Sequence, residues 1–237
     1  IVSRWADENG FERKRNFMIQ ISNLSKKYGE TVVFSDLNYT FENACIYGLV
    51  GRNGAGKTTL LNILSNYDKN YTGVISIDRK KMNKVDYLDM PVAYAMDQPS
   101  FFNELTIYEN LLLIASSRKI KKQEAFDKIE RILDGLGLKK YENYSPLELS
   151  KGTMQRLNNA CAMIQEEKIT IFDEPFSGLD PVQMKLLENV IVEFHKKEKG
   201  IYIISSHDIE CLQNVCDKCL LLHNGQIREI NMEEVDR

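Results

Sequence analysis

Two short stretches of this chain carry residue types that together handle phosphate. Residues 51–58 read Gly-Arg-Asn-Gly-Ala-Gly-Lys-Thr, a full G-x-x-x-x-G-K-T run. Gly51, Gly54 and Gly56 let the backbone curl and bring successive N–H groups against one anion. Asn53 and Ala55 complete the loop, and Thr59 lies in the helix that follows, whose positive end points at the same anion. Lys57 is spaced to reach the outer phosphates of a nucleotide, and the Thr58 hydroxyl to ligate Mg²⁺. The second stretch, Ile169-Thr170-Ile171-Phe172-Asp173-Glu174, is an apolar strand ending in two carboxylates. Asp173 at the strand end suits Mg²⁺ held through water. Glu174, next in line, suits a general base that polarises the attacking water.

These residues need a scaffold that brings them together. Cys45–Val50 is a near-continuous apolar run, as expected for a strand buried on both faces. A helix is predicted from about Lys57 to Ser65, so the glycine loop has the strand–loop–helix context it requires. Met18–Ile21 and Val32–Phe41 read as strands of a β-rich N-terminal part. Ile169–Phe172 and Ile201–Ile204 restore a strand–helix alternation later in the chain. Between about 100 and 160 the pattern is helical. Thr106 and Glu109 form a capping box opening a helix over 107–117. Phe126, Ile129, Leu133 and Leu136 follow helical spacing, and Gly135 and Gly137 end that helix. The expected fold is α/β: a P-loop core with a mainly parallel sheet, an N-terminal antiparallel β subdomain and an inserted helical subdomain. His195, among Lys196, Lys197 and Lys199, is placed on a solvated helix face.

Composition narrows the function. The chain has 237 residues and a net charge of −3, so bulk basicity gives no argument for nucleic acid. No run approaches the roughly 20 apolar residues that cross a bilayer. If the protein drives transport, another chain forms the pore. The five cysteines read as reduced thiols, and Cys216-x-x-Cys219 is a single pair, whereas a structural zinc site usually needs two. Cys219 also opens an apolar run that reads as a buried strand. Residues 1–17 lack a leading Met and an apolar signal core, and read as an extension added ahead of the native start near Met18. The ATPase domain is placed over 18–237.

Further motifs, in order along the chain, resemble those of ABC-type nucleotide-binding domains. Leu149-Ser150-Lys151-Gly152-Thr153-Met154-Gln155-Arg156 is similar to the family signature, usually LSGGQ, one further residue and QR. Lys151 and Thr153 depart from it, and an S-K-G variant is similar to exporter-like members. Ser177-Gly178-Leu179-Asp180 resembles the D-loop, His207 the switch histidine, Gln98 the Q-loop glutamine and Tyr28 the aromatic that stacks on adenine. The resemblance implies an ATPase using ATP and Mg²⁺. Glu174, His207 and Lys57 would be catalytic, and Thr58, Gln98 and Asp173 would hold the metal. Ser150, Gly152 and Asp180 would contact nucleotide across a homodimer or pseudo-dimer of head-to-tail subunits, and a separate transmembrane permease would place the protein on the cytoplasmic face of the membrane. Ser150 also reads as a plain helix N-cap, Lys151 as a solvated side chain, and Gln98 as a strand-end amide. A soluble ABC-type ATPase, such as one in iron–sulfur cluster assembly, is the alternative.

Overall fold

The computed structural model describes residues 17–85 and 89–231; the stretch 1–17 that the sequence reads as an extension lies, apart from Phe17, outside the described residues. Two sheets form the scaffold. The first is antiparallel and joins β1 (Met18–Tyr28), β2 (Thr31–Glu42), β4 (Thr72–Ile77) and β5 (Lys80–Lys81) in the order β2-β1-β4-β5. β1 continues well past Ile21. Its alternation is hidden in the sequence because Asn23 sits at φ 51 and the pairing register shifts between Ile21 and Leu24. Such a bulge carries the strand on while breaking the period of two.

The second sheet joins β3 (Cys45–Val50), β6 (Val92–Ala95), β7 (Ile169–Phe172), β8 (Ile201–Ser206), β9 (Lys218–His223) and β10 (Gln226–Ile230) in the order β10-β9-β3-β8-β7-β6. Its pairs are parallel except β9 with β10. Both faces are covered, which is why its strands read as unbroken apolar runs. On one face Tyr47, Leu49, Ile171 and Ile203 share a core with Leu60, Leu61 and Leu64 of α1 (Lys57–Leu64) and with Ile19, Phe34 and Phe41 of the first sheet. On the other, Ile46, Ala93, Phe172, Tyr202 and Ile204 meet the remaining helices. Val50 pairs with Ser206 and Phe172 with Ile204. That register puts the carboxyl ends of β3, β7 and β8 along one edge, where open α/β sheets bind ligands.

The helical insert holds α2 (Ile107–Ser117), α3 (Lys122–Gly135) and α4 (Lys151–Met163). The Thr106 box is formed in both directions: Glu109 N donates to Thr106 Oγ1 at 3.2 Å, and Thr106 N donates to Glu109 Oε2 at 2.8 Å. α5 (Pro181–Glu198) and the short α6 (Glu210–Gln213) belong to the core. His195 corrects the expectation of a solvated face. It is 9% exposed, stacks edge-on against Tyr202 at 5.0 Å, and its Nε2 lies 3.2 Å from Gly200 O. Spacing explains this: His195 follows the buried Leu187 and Ile191 at four-residue steps, so it shares their face, while Lys196 and Lys197 turn outward. Burial draws its pKa down. Cys219 lies in the buried strand β9 as expected, and all five cysteines are free thiols.

One buried cation ties the insert to the core. Lys128 of α3 is 2% exposed; its ammonium lies 2.6 Å from Glu166 and 3.5 Å from Glu198, whose other oxygen accepts from Tyr202 Oη at 2.6 Å. Burial pulls the Lys128 pKa down, and the two carboxylates oppose that. Lys128→Met is expected to destabilise the fold by about 3 kcal/mol, because two carboxylates lose their cation. Urea unfolding checks this, and Lys128→Met with Glu198→Gln is expected to recover part of the loss.

Candidate active site at the carboxyl edge of the sheet

The loop after β3 and the start of α1 floor a groove of about 530 Å³, walled by Tyr28, Val33, Glu174 and His207. The glycines are required where they stand. Gly56 caps α1 at φ 100, and a Cβ there would sit 2.7 Å from Val33 Cγ1 and 3.1 Å from the Phe34 ring. Gly54 has φ 80, a left-handed conformation that glycine adopts at no steric cost. A Cβ on Gly51 would meet Leu222 O at 2.8 Å. Ala55 N closes the loop on Arg52 O at 3.0 Å. Lys57 is 6% exposed, donates to Gly51 O at 2.8 Å and lies 3.4 Å from Glu174 Oε1. Thr58 and Thr59 line the groove from the first turn of α1.

The carboxylate pair enters from the end of β7. Asp173 is 1% exposed; its Oδ1 accepts from Ser205 Oγ at 2.6 Å, and its Oδ2 lies 3.4 Å from Tyr94 Oη. Burial raises its pKa, and hydrogen bonds from Ser205 and Thr58 oppose the rise. Glu174 stands in the left-handed region at φ 49, a conformation that needs outside support in a non-glycine residue. Three contacts supply it. Its N–H donates to Ser205 Oγ at 2.9 Å, its carbonyl accepts from Gln155 Nε2 at 3.4 Å, and its Oε2 lies 2.9 Å from His207 Nδ1. The structure thus brings Lys57, Thr58, Asp173, Glu174 and His207 to one place.

Other expected residues stand differently. Tyr28 is half exposed at the groove mouth; its hydroxyl donates to Asp68 at 3.1 Å, and the Lys26 ammonium lies 4.5 Å from its ring centre. Gln98 is exposed and does not line the groove, whereas its neighbour Asp97 does, because β6 ends at Ala95. Ser150, Gly152 and Asp180 lie outside the groove lining. Ser150 caps α4, its Oγ accepting from Thr153 N at 3.3 Å, and Asp180 caps α5, accepting from Gln183 N at 2.8 Å. The two caps are neighbours: a Cβ on Gly152 would lie 2.9 Å from Gly178 O.

Sequence reasoning missed Ser205, which joins Asp173 to Glu174, and Asn158, whose Nδ2 donates to Met96 O at 2.7 Å and ties α4 to the exit of β6. A serine at a strand end carries no signal by itself; its position one strand away from the acidic pair does. Thr58 and Asp173 are both hard oxygen donors at one end of the groove. That donor set fits Mg²⁺.

A glycine loop between a buried strand and a helix, a lysine in that loop and an acidic pair from the same sheet edge define a P-loop nucleoside triphosphatase. A family model described as ABC transporter matches residues 34–177. An ABC transporter ATP-binding protein of Methanocaldococcus jannaschii is 32% identical over 208 residues, spanning 88% of this chain and 75% of that protein. The bacitracin transport ATP-binding protein of Enterococcus faecalis is 30% identical, with 93% and 71% covered. The tungstate uptake system ATP-binding protein of Peptoclostridium acidaminophilum is also 30% identical, with 89% and 97% covered. A solved ATP-binding subunit of an ABC transporter superposes with a TM-score of 0.82 at 27% identity, covering 93% of this chain and 92% of that one. The chain belongs to the ABC transporter ATP-binding family, and it is an ATPase of that family. Such subunits work with membrane permease components.

Ser205→Ala tests the strap directly. Asp173 loses a donor, and the strained Glu174 N–H loses its acceptor. ATP turnover is expected to fall about tenfold with ATP affinity little changed, the size of one lost buried hydrogen bond acting on the base. A steady-state ATPase assay checks it.

Proposed function

We propose that the chain is the ATP-hydrolysing motor of an ABC exporter, working as a head-to-tail dimer of identical subunits on the cytoplasmic face of the membrane. The observation that carries this reading is the separation of the two halves of the chemistry. Lys57, Glu174 and His207 wall the groove, while Ser150, Gly152 and Asp180 stand outside it. A second copy, turned head to tail, would bring its Ser150 N-terminal turn over the phosphates held by the first copy's loop.

Within one subunit the geometry supports the following steps. The loop N–H groups and Lys57 hold the phosphates and neutralise developing charge. Tyr28 presents its ring to the base at the groove mouth. Glu174 takes a proton from the attacking water at its carboxylate, and His207 fixes that carboxylate from 2.9 Å. Thr58 and Asp173 would hold Mg²⁺, which supplies a Lewis acid for the phosphoryl oxygens when bound. Gln98, exposed beside the groove at the entry to the insert, would touch the metal only after moving inward, and in doing so would report to the helices.

The helical insert presents Phe102, Tyr144 and Leu147, at 60, 44 and 75% exposure, a set suited to a permease chain. Among the described residues no helix is long and apolar enough to cross a membrane. In this reading a separate permease chain forms the pore. Export is supported by the S-K-G sequence at 150–152. The test is affinity purification of Glu174→Gln with ATP from detergent-solubilised membranes, followed by mass spectrometry. A polytopic membrane protein in the eluate is expected; soluble partners alone would overturn the motor reading. Vesicles rebuilt with that partner are expected to move cargo away from the ATPase side.

A further inference from the structure

The signature turn departs from the family pattern at Thr153, and the structure gives that departure a use. Thr153 is 3% exposed and lies one turn into α4. Its Oγ1 is 2.9 Å from Ser150 Oγ and accepts from Arg156 Nη2 at 3.3 Å. Arg156 is 4% exposed and anchored at its other nitrogen by Leu136 O at 2.7 Å and Gly137 O at 3.2 Å, the carbonyls that end α3.

The direction of this chain of hydrogen bonds can be worked out from its members. A guanidinium only donates. Thr153 Oγ1 is therefore an acceptor towards Arg156, and its own hydrogen has Ser150 Oγ as its acceptor. Ser150 Oγ then accepts twice from Thr153, from the hydroxyl and from the N–H at 3.3 Å. Its lone pairs are used inward, so its hydrogen is left for the exterior, where Ser150 is exposed. The reverse direction would spend the Ser150 hydrogen inside the turn and leave the buried Thr153 hydrogen without an acceptor. A buried positive charge at the inner end polarises both hydroxyls in the same sense.

We infer that Thr153 is a positioning residue: with Arg156 behind it, it orients the Ser150 hydroxyl as a donor towards the phosphates of the partner subunit's ATP. This rests on the dimer reading above, in which Ser150 meets nucleotide on the other copy. It also links the last two helices of the insert, since Arg156 of α4 is seated on the C-terminus of α3. A shift of α3 would reach the Ser150 hydroxyl through three successive hydrogen bonds, from the Leu136 carbonyl to Arg156, from Arg156 to Thr153 and from Thr153 to Ser150.

The test compares full-length Ser150→Ala, Thr153→Val and Thr153→Ser by steady-state ATP hydrolysis, with melting temperature and nucleotide binding to the groove measured alongside. Thr153→Val keeps the volume and the N–H but removes the hydroxyl. It is expected to lower kcat/KM about tenfold, the effect of one oriented hydrogen bond to a charged group, with groove binding unchanged. Thr153→Ser is expected to restore the wild-type value. Ser150→Ala combined with Thr153→Val is expected to be no worse than Ser150→Ala alone, because both remove one donor. If Ser150→Ala itself leaves hydrolysis unchanged, the dimer reading fails and this inference with it. If Ser150→Ala is impaired and Thr153→Val is not, only this inference is overturned. Equal loss in Thr153→Val and Thr153→Ser, together with a lowered melting temperature, would show a packing role and overturn it as well.

Discussion

Glu174→Gln is expected to cut ATP turnover by about 10²- to 10⁴-fold, the contribution of a positioned general base, while ATP still binds. The amide is nearly the same size and can hold the left-handed backbone, since the Glu174 N–H to Ser205 Oγ and carbonyl to Gln155 Nε2 contacts are made by the main chain. What disappears is the basic oxygen that lies 2.9 Å from His207 and the charge that lies 3.4 Å from the Lys57 ammonium. Lys57 then faces phosphate without competition, so affinity for ATP is expected to hold or rise. Single-turnover hydrolysis and equilibrium ATP binding separate the two quantities. Turnover near wild type would place the base elsewhere and leave Glu174 as a structural partner of Lys57.

Lys57→Met is expected to weaken ATP binding about a hundredfold, as two charge-assisted hydrogen bonds of roughly 1.5 kcal/mol each are lost. Methionine keeps much of the apolar stem in its buried path, so the loss reads the charge rather than the packing. Lys57 is 6% exposed and its ammonium is already bonded to Gly51 O, an arrangement that holds it in the loop before any ligand arrives. Removing it also strips Glu174 of its nearest cation. The contrast expected between Glu174→Gln, with ATP affinity held or raised, and Lys57→Met, with affinity lost, is a stringent check on the groove. Calorimetric titration of both variants, with melting curves to exclude unfolding, reads them side by side.

Much of this protein is legible in its sequence where local chemistry dictates local shape. The glycine loop could be read because only glycine tolerates φ 100 at Gly56 beside Val33 and Phe34. The strands β3, β7 and β8 could be read because a sheet buried on both faces demands unbroken apolar runs. The Thr106 box could be read because orphan N–H groups at a helix end call for such caps.

Other features depend on what lies far away in the chain. β1 could not be followed past Ile21, since a bulge at Asn23 breaks its period. His195 looked solvated beside its lysines, and only the packing of α5 on Tyr202 turned it inward. Ser205 became part of the site because β8 lies next to β7, a pairing no short motif encodes. Gln98 was expected at the groove, but its neighbour Asp97 lines it, since the path of the chain after β6 decides which side chain faces in. By itself the sequence determined which groups are available for chemistry: a glycine loop with its lysine and a pair of carboxylates at a strand end. The tertiary structure decided how those groups meet, because sheet order and register join residues more than a hundred positions apart, and chain-local propensities carry no information about that distance.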